Sequence, residues 1–515
     1  MNLRAVFWLL GCVLLLLAGF MVVPAVVAAF YGETESFYGC IWSAVTTALV
    51  GGGMAYFARG STVSTDGRPD YFRREGLAAV GLAWIFGSAA GALPYLFSGT
   101  LTSFADAFFE SASGLTTTGS TIMQGEEIDG MTMGIAFWRS FTHWIGGVGI
   151  VLVFVVLFPT GGRSLFRSEV PGVSREAVQS RVRDSAFGLI RIYVLMTLIQ
   201  VVLLVLFGMN VFDSFLHSFG TLATGGFSNH SASVRHFESP TIEVVIIVFM
   251  FAAGINFAVW DIALRNGVKK AWQAAAGSEE IRWYTGLVCG SAILMGFILW
   301  FWGGNNGATP TEALPDDYRS LATCMLDSFF YAVSVQTSTG YGTTNFDTWP
   351  DFCRLLLMGL AVVGASAGST GGGIKVIRIL ILAKGALLAI QRFARPRALH
   401  AVRVDGRVVE DNTVAMIMGY CGLWAFVFVL GTLAVSALGV DPDQAKYAGH
   451  DLVTSATSVI ATLNNIGPGL FAVGPAENFA FMPAATKLLL SFFMILGRLE
   501  FYAMVVLFVP RFWRH

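Results

Sequence analysis

A short pattern that recurs four times constrains the fold of this chain more than any other feature. Each copy starts with an Asp, continues through an apolar stretch and ends in a Gly. Asp106, Asp213 and Asp327 are each followed by that Gly thirteen residues later. The fourth copy starts at Asp451, has its Gly sixteen residues later and carries two Asn in place of hydroxyl residues. This self-similarity predicts four repeated units, of which the fourth is the most divergent.

The residues around these glycines indicate a cation filter. Thr339-Gly340-Tyr341-Gly342 is close to the Thr-Val-Gly-Tyr-Gly pattern, in which backbone carbonyls face a dehydrated cation. Gly and Thr are also common where membrane helices pack closely, so a single copy would indicate packing, whereas four matched copies favour a filter. The candidate filter residues are Thr116, Thr117, Thr118, Gly119, Ala223, Thr224, Gly225, Gly226, Thr337, Ser338, Thr339, Gly340, Asn464, Asn465, Ile466 and Gly467.

The remainder of the chain predicts an all-α polytopic membrane protein. Of its 515 residues, 55% are hydrophobic and only 13% are charged, which excludes an ordinary soluble protein. About ten apolar segments are long enough to cross the bilayer. They predict four helix–pore loop–helix repeats around a central pore, preceded by a helix pair. The expected segments are the accessory pair at 1–75, pore repeat 1 at 76–185, repeat 2 at 186–280, repeat 3 at 281–408 and repeat 4 at 409–515.

Basic residues predict the orientation. Lys and Arg cluster at residues 59–74, 163–183, 265–282 and 375–407, whereas the loops that contain the four glycines carry few of them. By the positive-inside rule, the basic loops and both termini are expected in the cytoplasm, and the filter loops are expected to enter from outside.

A Gly- and Ser-rich stretch interrupts the last predicted helix of the third repeat. It contains a nucleophile-elbow pattern and a partial phosphate-loop pattern, but it lacks the strand–turn–helix context and the Gly-Lys-Ser/Thr sequence that these need. This number of Gly residues breaks a helix. The stretch is therefore either a flexible gate beneath the filter or a packing kink. The candidate gate residues in it are Gly364, Gly368, Gly371, Gly372, Gly373 and Lys375.

Arg498 lies in the last predicted helix, at residues 481–509. A charge at the middle of a membrane helix costs at least ~2.5 kcal/mol, so Arg498 should act as a second gate element facing the pore or pair with an acid such as Glu500. The pore is favoured, because residues two apart do not face each other on a helix. Arg139 is expected to tether two repeats, and His143 and His217 are expected to be interior groups with satisfied hydrogen bonds.

Together these motifs resemble the TrkH/KtrB superfamily of potassium transporters, and its TrkH branch in particular. The N-terminal helix pair is also similar to that branch. The segments that carry the resemblance, from about residue 104 to the end of the chain, are SGLTTTGST at 113–121, WRSFTHWIGGVGI at 138–150, ATGGFS at 223–228, TSTGYGTT at 337–344, GSTGGGIKVIR at 368–378, LNNIGPGL at 463–470 and GRLEFYAMVVLFVPRFWR at 497–514.

The resemblance implies potassium uptake across the bacterial inner membrane, with K⁺ bound at the filter as the transported ion. It also implies a gating loop at residues 364–373, a gating role for Arg498, and a homodimer in which each protomer has its own pore. Gly119 favours potassium, because relatives that admit sodium carry Ser there. A cytosolic TrkA-like ring of nucleotide-binding subunits is expected to regulate the pore, with the basic loop at 392–407 as its contact. No organic cofactor, nucleotide motif or nucleic-acid partner is expected in this chain.

Two other functions stay open. An ion-coupled secondary transporter would show inverted halves rather than four parallel repeats. An intramembrane hydrolase with Ser366 as nucleophile would need a base in reach, and Lys375 is a poor candidate for one.

Overall fold

Long helices make up most of the computed structural model, which describes residues 1–58, 73–157, 175–305, 320–394, 401–439 and 452–513, and only the backbone of residues 73, 150–157, 175–186 and 303–305. Asp451, which opens the fourth copy of the sequence pattern, lies outside the described residues. The helices are α1 (Leu3–Tyr31), α2 (Thr34–Phe57), α3 (Arg73–Gly91), α4 (Leu93–Phe97), α5 (Phe104–Leu115), α6 (Gly125–Asp129), α7 (Met133–Leu157), α8 (Arg175–Leu206), α9 (Val211–Ala223), α10 (Pro240–Ala253), α11 (Phe257–Asn266), α12 (Val268–Gly277), α13 (Glu279–Asn305), α14 (Leu321–Gln336), α15 (Asp351–Val362), α16 (Val376–Ala394), α17 (Asp411–Leu438), α18 (Leu452–Leu463), α19 (Ala484–Arg498), α20 (Tyr502–Val505) and α21 (Pro510–Trp513).

The predicted all-α membrane architecture is confirmed. Within the described residues, six helices are long and apolar enough to cross a membrane, and two bent helix pairs raise the number to eight if each counts as one span. The other two of the ten predicted spans correspond to α7 and to the interrupted pair α15 and α16. The only strands in the described residues, β1 (Arg403–Val404) and β2 (Arg407–Val408), form a small antiparallel hairpin.

Two spans that we expected to be continuous are broken. The helix predicted at 241–261 bends by 97° between α10 and α11, where Gly254 packs against Tyr284 and the Asn256 side chain caps α11 by accepting from the Ala258 N–H. The final span bends by 115° after α19, where Glu500 and Phe501 have positive φ angles. Arg498 is therefore the last residue of a helix, not a residue in its middle.

The helices pack as a ring of four units. Each unit holds one short helix between longer ones, and these four short helices, which we call the pore helices, are α5, α9, α14 and α18. Neighbouring units meet where α7 packs on α9, α10 on α14 and α15 on α18, and the ring closes where α19 packs on α5. The helix pair α1 and α2 lies outside the ring, with α1 against α3 and α7.

A buried ion pair joins the first two units. The Arg139 side chain on α7 donates through Nε to Glu110 Oε1 at 2.6 Å and through Nη1 to the Ser228 carbonyl at 2.7 Å. Its guanidinium also lies 3.7 Å from the centre of the Phe227 ring. Because Glu110 belongs to the first pore helix and Ser228 follows the second, the expected tether between repeats is confirmed.

We expect Arg139→Met to lower the free energy of unfolding by about 3–5 kcal/mol, because the substitution leaves the Glu110 carboxylate buried without its partner. Equilibrium unfolding in detergent micelles measures this loss. Arg265→Met is the control, because Arg265 also pairs with an acid, Asp261, but its side chain is 54% exposed. This substitution should lower the free energy of unfolding by less than about 1 kcal/mol. Equal losses in the two variants would contradict this account.

Candidate functional site

All four pore helices end in the same backbone motif. In the first, the Thr117 N–H donates to the Gly114 carbonyl and the Thr118 N–H donates to the Ser113 carbonyl, while Thr117 has a φ of +53°. This pair of bonds around a left-handed residue is a Schellman cap. The matching left-handed residues of the other three copies are Thr224 (φ +55°), Ser338 (φ +60°) and Asn465 (φ +55°). In each copy, the N–H of this residue and the N–H of the next residue make the same pair of bonds.

These left-handed residues were not recognised from the sequence. Glycine is the residue that adopts such conformations most readily, yet each copy also places a residue with a Cβ in the left-handed region, and two of these residues are β-branched Thr. Such residues adopt this conformation at a cost, and they do so mainly where the surroundings enforce it. The fourth copy has the same geometry although its sequence diverges. Asn465 was the one residue whose type could have indicated a left-handed conformation, since Asn tolerates this region better than other residues with a side chain.

The glycine that ends each copy packs against the next copy. A Cβ at Gly119 would lie 2.1 Å from the Gly225 carbonyl oxygen, and a Cβ at Gly226 would lie 2.0 Å from the Thr339 carbonyl oxygen. At Gly340 it would lie 2.8 Å from the nitrogen of Gly467, and at Gly467 it would lie 3.1 Å from the Gly119 oxygen. The four loops therefore form a closed ring in the order of the chain, and no side chain fits between them.

The ring has a polar cavity on its glycine side. All four of these glycines line a cavity of about 100 Å³, together with Arg139, Glu477 and residues of the following loops. On the other side of the ring, the pore helices present their carboxyl ends, which carry partial negative charge. A ring of backbone carbonyls between a polar cavity and four negative helix ends is suited to holding a cation.

Contacts between the loops on the cavity side of the glycine ring also close in a ring. The Ser231 backbone and hydroxyl donate to Asp129 at 2.8 and 2.6 Å, and the Phe471 N–H donates to Asp347 at 3.1 Å. Burial raises the pKa of Asp347 to about 6. Burial also acts to raise the pKa of Asp129, but the hydrogen bonds from Ser231 outweigh it and the pKa is lowered. The other two contacts of this ring are the hydrogen bond from the Gly342 N–H to Ser233 Oγ and the ion pair of Lys487 Nζ with Asp106 Oδ1.

In the first three copies, the residue four positions after the Asp holds the chain as it leaves the predicted filter segment. Glu110 accepts hydrogen bonds from Thr121 and Ile122, His217 bonds to Ser228, and the Tyr331 hydroxyl bonds to Thr343 and Thr344. The prediction for His217 is confirmed, since both its ring nitrogens have partners. In the third copy, Asp327 lies inside its pore helix, because α14 begins six residues earlier at Leu321.

His143 stands directly behind the second filter loop. It is fully buried, stacks on Phe227 with ring centres 4.2 Å apart, and occupies the space that a side chain at Gly225 would need. Neither of its ring nitrogens has a hydrogen-bond partner among the described residues. The prediction that the hydrogen bonds of His143 are satisfied is therefore wrong. Its role in the structure is to fill volume against the loop backbone.

The predicted gate residues lie in a loop between α15 and α16, on the helix side of the filter. The Thr370 hydroxyl donates to the Leu222 carbonyl at 2.9 Å, and the Gly372 N–H donates to the Ser338 hydroxyl at 2.6 Å. Gly372 also lies against the Asn464 carbonyl. The loop therefore touches the ends of three pore helices. Its other candidate residues shape it: Gly364 packs on Gly372, Gly368 and Gly373 have positive φ angles, and Lys375 donates to the Gly371 carbonyl.

Arg498 connects this loop to the remaining unit. Its side chain is buried, donates through Nη1 to the Thr370 carbonyl at 2.7 Å and through Nη2 to the Gly146 carbonyl at 3.3 Å. Glu500 pairs with Arg378 instead, so the alternative ion pair between Arg498 and Glu500 is not formed. Gly146 in turn packs on the Leu115 carbonyl at the end of the first pore helix. The loop therefore touches three pore-helix ends, and Arg498 links it to the first one through Gly146.

Ser366 has no catalytic surroundings in the described part of the chain. Its backbone N–H donates to the Gly254 carbonyl at 3.0 Å, and its buried hydroxyl has no hydrogen-bond partner there. A nucleophilic serine needs a base within hydrogen-bond reach. The nearest candidate from the sequence, Lys375, is bonded to Gly371 instead.

The ring geometry predicts unequal costs for adding a methyl group. Gly226→Ala should lower the free energy of unfolding by about 1–3 kcal/mol more than Gly467→Ala, because only Gly226 combines a left-handed φ with a contact of 2.0 Å. Thermal unfolding of the two purified variants compares them directly. If Gly467→Ala were the more damaging change, the packing order of the ring would be wrong.

Comparison with known proteins gives a consistent result. A protein-family model described as TrkH, cation transport protein, matches residues 52–515. The Trk system potassium uptake protein TrkH of Salmonella typhimurium is 35% identical over 526 residues, which cover 100% of both chains. The protein TrkG of the same system in Escherichia coli is 30% identical over 518 residues, covering 100% of this chain and 99% of that protein. The crystal structure of the potassium transporter TrkH from Vibrio parahaemolyticus superposes with a TM-score of 0.85 at 30% identity, covering 100% of both chains.

Proposed function

The chain belongs to the TrkH family of cation transport proteins, as its motifs predicted, and from this membership we propose that it takes up potassium through a filter of four backbone loops. The filter consists of residues 116–119, 223–226, 337–340 and 464–467. The transported ion is K⁺, and the proposal needs no organic cofactor. The relatives carry the names of uptake proteins rather than enzymes.

The observation that carries the filter proposal is the fourfold Schellman cap. In every copy it turns the chain out of the pore helix at the same point and leads it into a glycine that packs on the next copy. Four equivalent sets of carbonyl oxygens then take the place of the water shell of an ion. The negative ends of the pore helices add an attraction that favours a cation over an anion.

We propose that the described arrangement is a closed gate. The loop at 364–373 lies against three pore-helix ends, and Arg498 fastens it to Gly146 in the first unit. Because the loop carries two glycines with positive φ angles and no helix, it can move without breaking the surrounding helices. Opening would require Arg498 to release the Thr370 carbonyl.

The assembly and its orientation are part of the same proposal. We place the chain in the bacterial inner membrane with the basic loops and both termini in the cytoplasm, as a homodimer with one pore per protomer. A TrkA-like ring of nucleotide-binding subunits would act on the cytoplasmic side. The β1–β2 hairpin supports this, because its Asp405 is bonded to Glu279, and the neighbouring Glu280 accepts the Ala367 N–H of the gate loop.

Gly340→Ser tests the filter. We expect it to reduce discrimination between potassium and sodium by at least about tenfold, or about 1.4 kcal/mol, because a side chain there pushes the third loop away from Gly467. Flux into proteoliposomes under opposed potassium and sodium gradients measures this ratio. Gly290→Ser is the matched control, since a Cβ at Gly290 meets nothing within 4 Å. Unchanged selectivity in the folded Gly340 variant would refute the filter assignment.

Arg498→Ala tests the gate. It should raise potassium flux by at least about tenfold, because the two charge-assisted hydrogen bonds that hold the loop are worth about 1.5–3 kcal/mol each. The same proteoliposome assay applies, with protein incorporation measured in parallel. Arg511→Ala removes an exposed arginine from the last helix and should leave the flux unchanged. Equal flux in wild type and the Arg498 variant would contradict a latching role.

A further inference from the structure

An apolar cavity of about 370 Å³ lies between α1, α3 and α7, and it reaches the end of α5 at Leu115. Its wall runs along α1 from Leu9 to Phe20 and along α3 from Gly76 to Gly87, and every residue that lines it is apolar or a glycine. At 1.5 Å per residue, the stretch of α1 is roughly 17 Å long. The cavity is therefore elongated along the membrane normal, and the indole N–H of Trp84 is the only polar side-chain group among the described residues that line it.

We propose that this cavity binds one acyl chain of a membrane phospholipid. Val13 and Leu16 at its edge are 43% and 59% exposed, and they lie on a helix that meets the length and hydropathy expected of a membrane span. The medium at the mouth of the cavity is thus hydrocarbon. Water is disfavoured in a cavity with a single polar side-chain group, and an empty space would forfeit dispersion contacts along its whole length. A lipid chain needs no polar partners and makes dispersion contacts along the length of the cavity.

The site bears on the gate if the proposed function is correct. Leu115 and Gly146 form the inner wall of the cavity. Leu115 is the last residue of the first pore helix, and Gly146 supplies the carbonyl that accepts a hydrogen bond from Arg498. An acyl chain in the cavity therefore packs against the residue that anchors the gate latch, and its presence supports the closed arrangement.

A photoactivatable lipid tests the site. Wild-type protein is reconstituted in phosphatidylethanolamine and phosphatidylglycerol vesicles that contain phosphatidylglycerol with a diazirine in one acyl chain, and the labelled peptides are identified by mass spectrometry. We expect labels on the cavity faces of α1, α3 and α7. Labels spread evenly over all lipid-exposed helix faces would overturn the proposal, and this result does not depend on potassium flux.

Variants that fill the cavity provide the second measurement. Gly76→Leu and Gly149→Leu each add a side chain where a Cβ meets nothing within 4 Å, so both should fold and both should reduce labelling of the cavity about tenfold. Gly19→Leu is the control, because Gly19 also has free space around it but does not line the cavity. Equal labelling in all three variants would refute the site. Altered flux with unchanged labelling would refute it as well, and would leave the potassium proposal standing.

Discussion

The end of each pore helix is the constraint on which the rest of this structure depends. A helix end leaves carbonyl groups without partners, and in a membrane such groups must be satisfied by protein or line a cavity. The Schellman caps at Thr117, Thr224, Ser338 and Asn465 satisfy two carbonyls in each helix and turn the following residues toward the neighbouring copy. The glycine ring, the contacts between the loops on its cavity side and the buried pair of Arg139 with Glu110 hold those turns in place.

The same reasoning accounts for the polar groups next to the pore-helix ends. The buried guanidinium of Arg498 donates hydrogen bonds to two backbone carbonyls, one in the predicted gate loop and one in α7. Hydrogen bonds from a charged group are stronger than those between neutral groups. In the gate that we propose, these two hydrogen bonds would hold the loop closed until both are released.

Much of the fold could be predicted from the sequence, because hydropathy and repeat spacing are local signals. The span of α17 and the positions of all four glycines needed no tertiary information. The bends after Gly254 and Arg498 were missed, since they depend on contacts with distant residues such as Tyr284. The partners of Arg498 were missed for the same reason: Thr370 and Gly146 are far away in sequence and contribute only backbone atoms. His143 was assigned hydrogen bonds, but its site offers it only packing.

The central claim is that four loops form one potassium site, and anomalous diffraction tests it most directly. Rb⁺ replaces K⁺ chemically and scatters X-rays anomalously. Crystals grown in rubidium should show a peak inside the ring formed by Gly119, Gly226, Gly340 and Gly467, within reach of carbonyl oxygens from all four loops. The peak should disappear when rubidium is replaced by potassium. Anomalous density confined to the polar cavity beside the ring, with none inside the ring, would contradict the account.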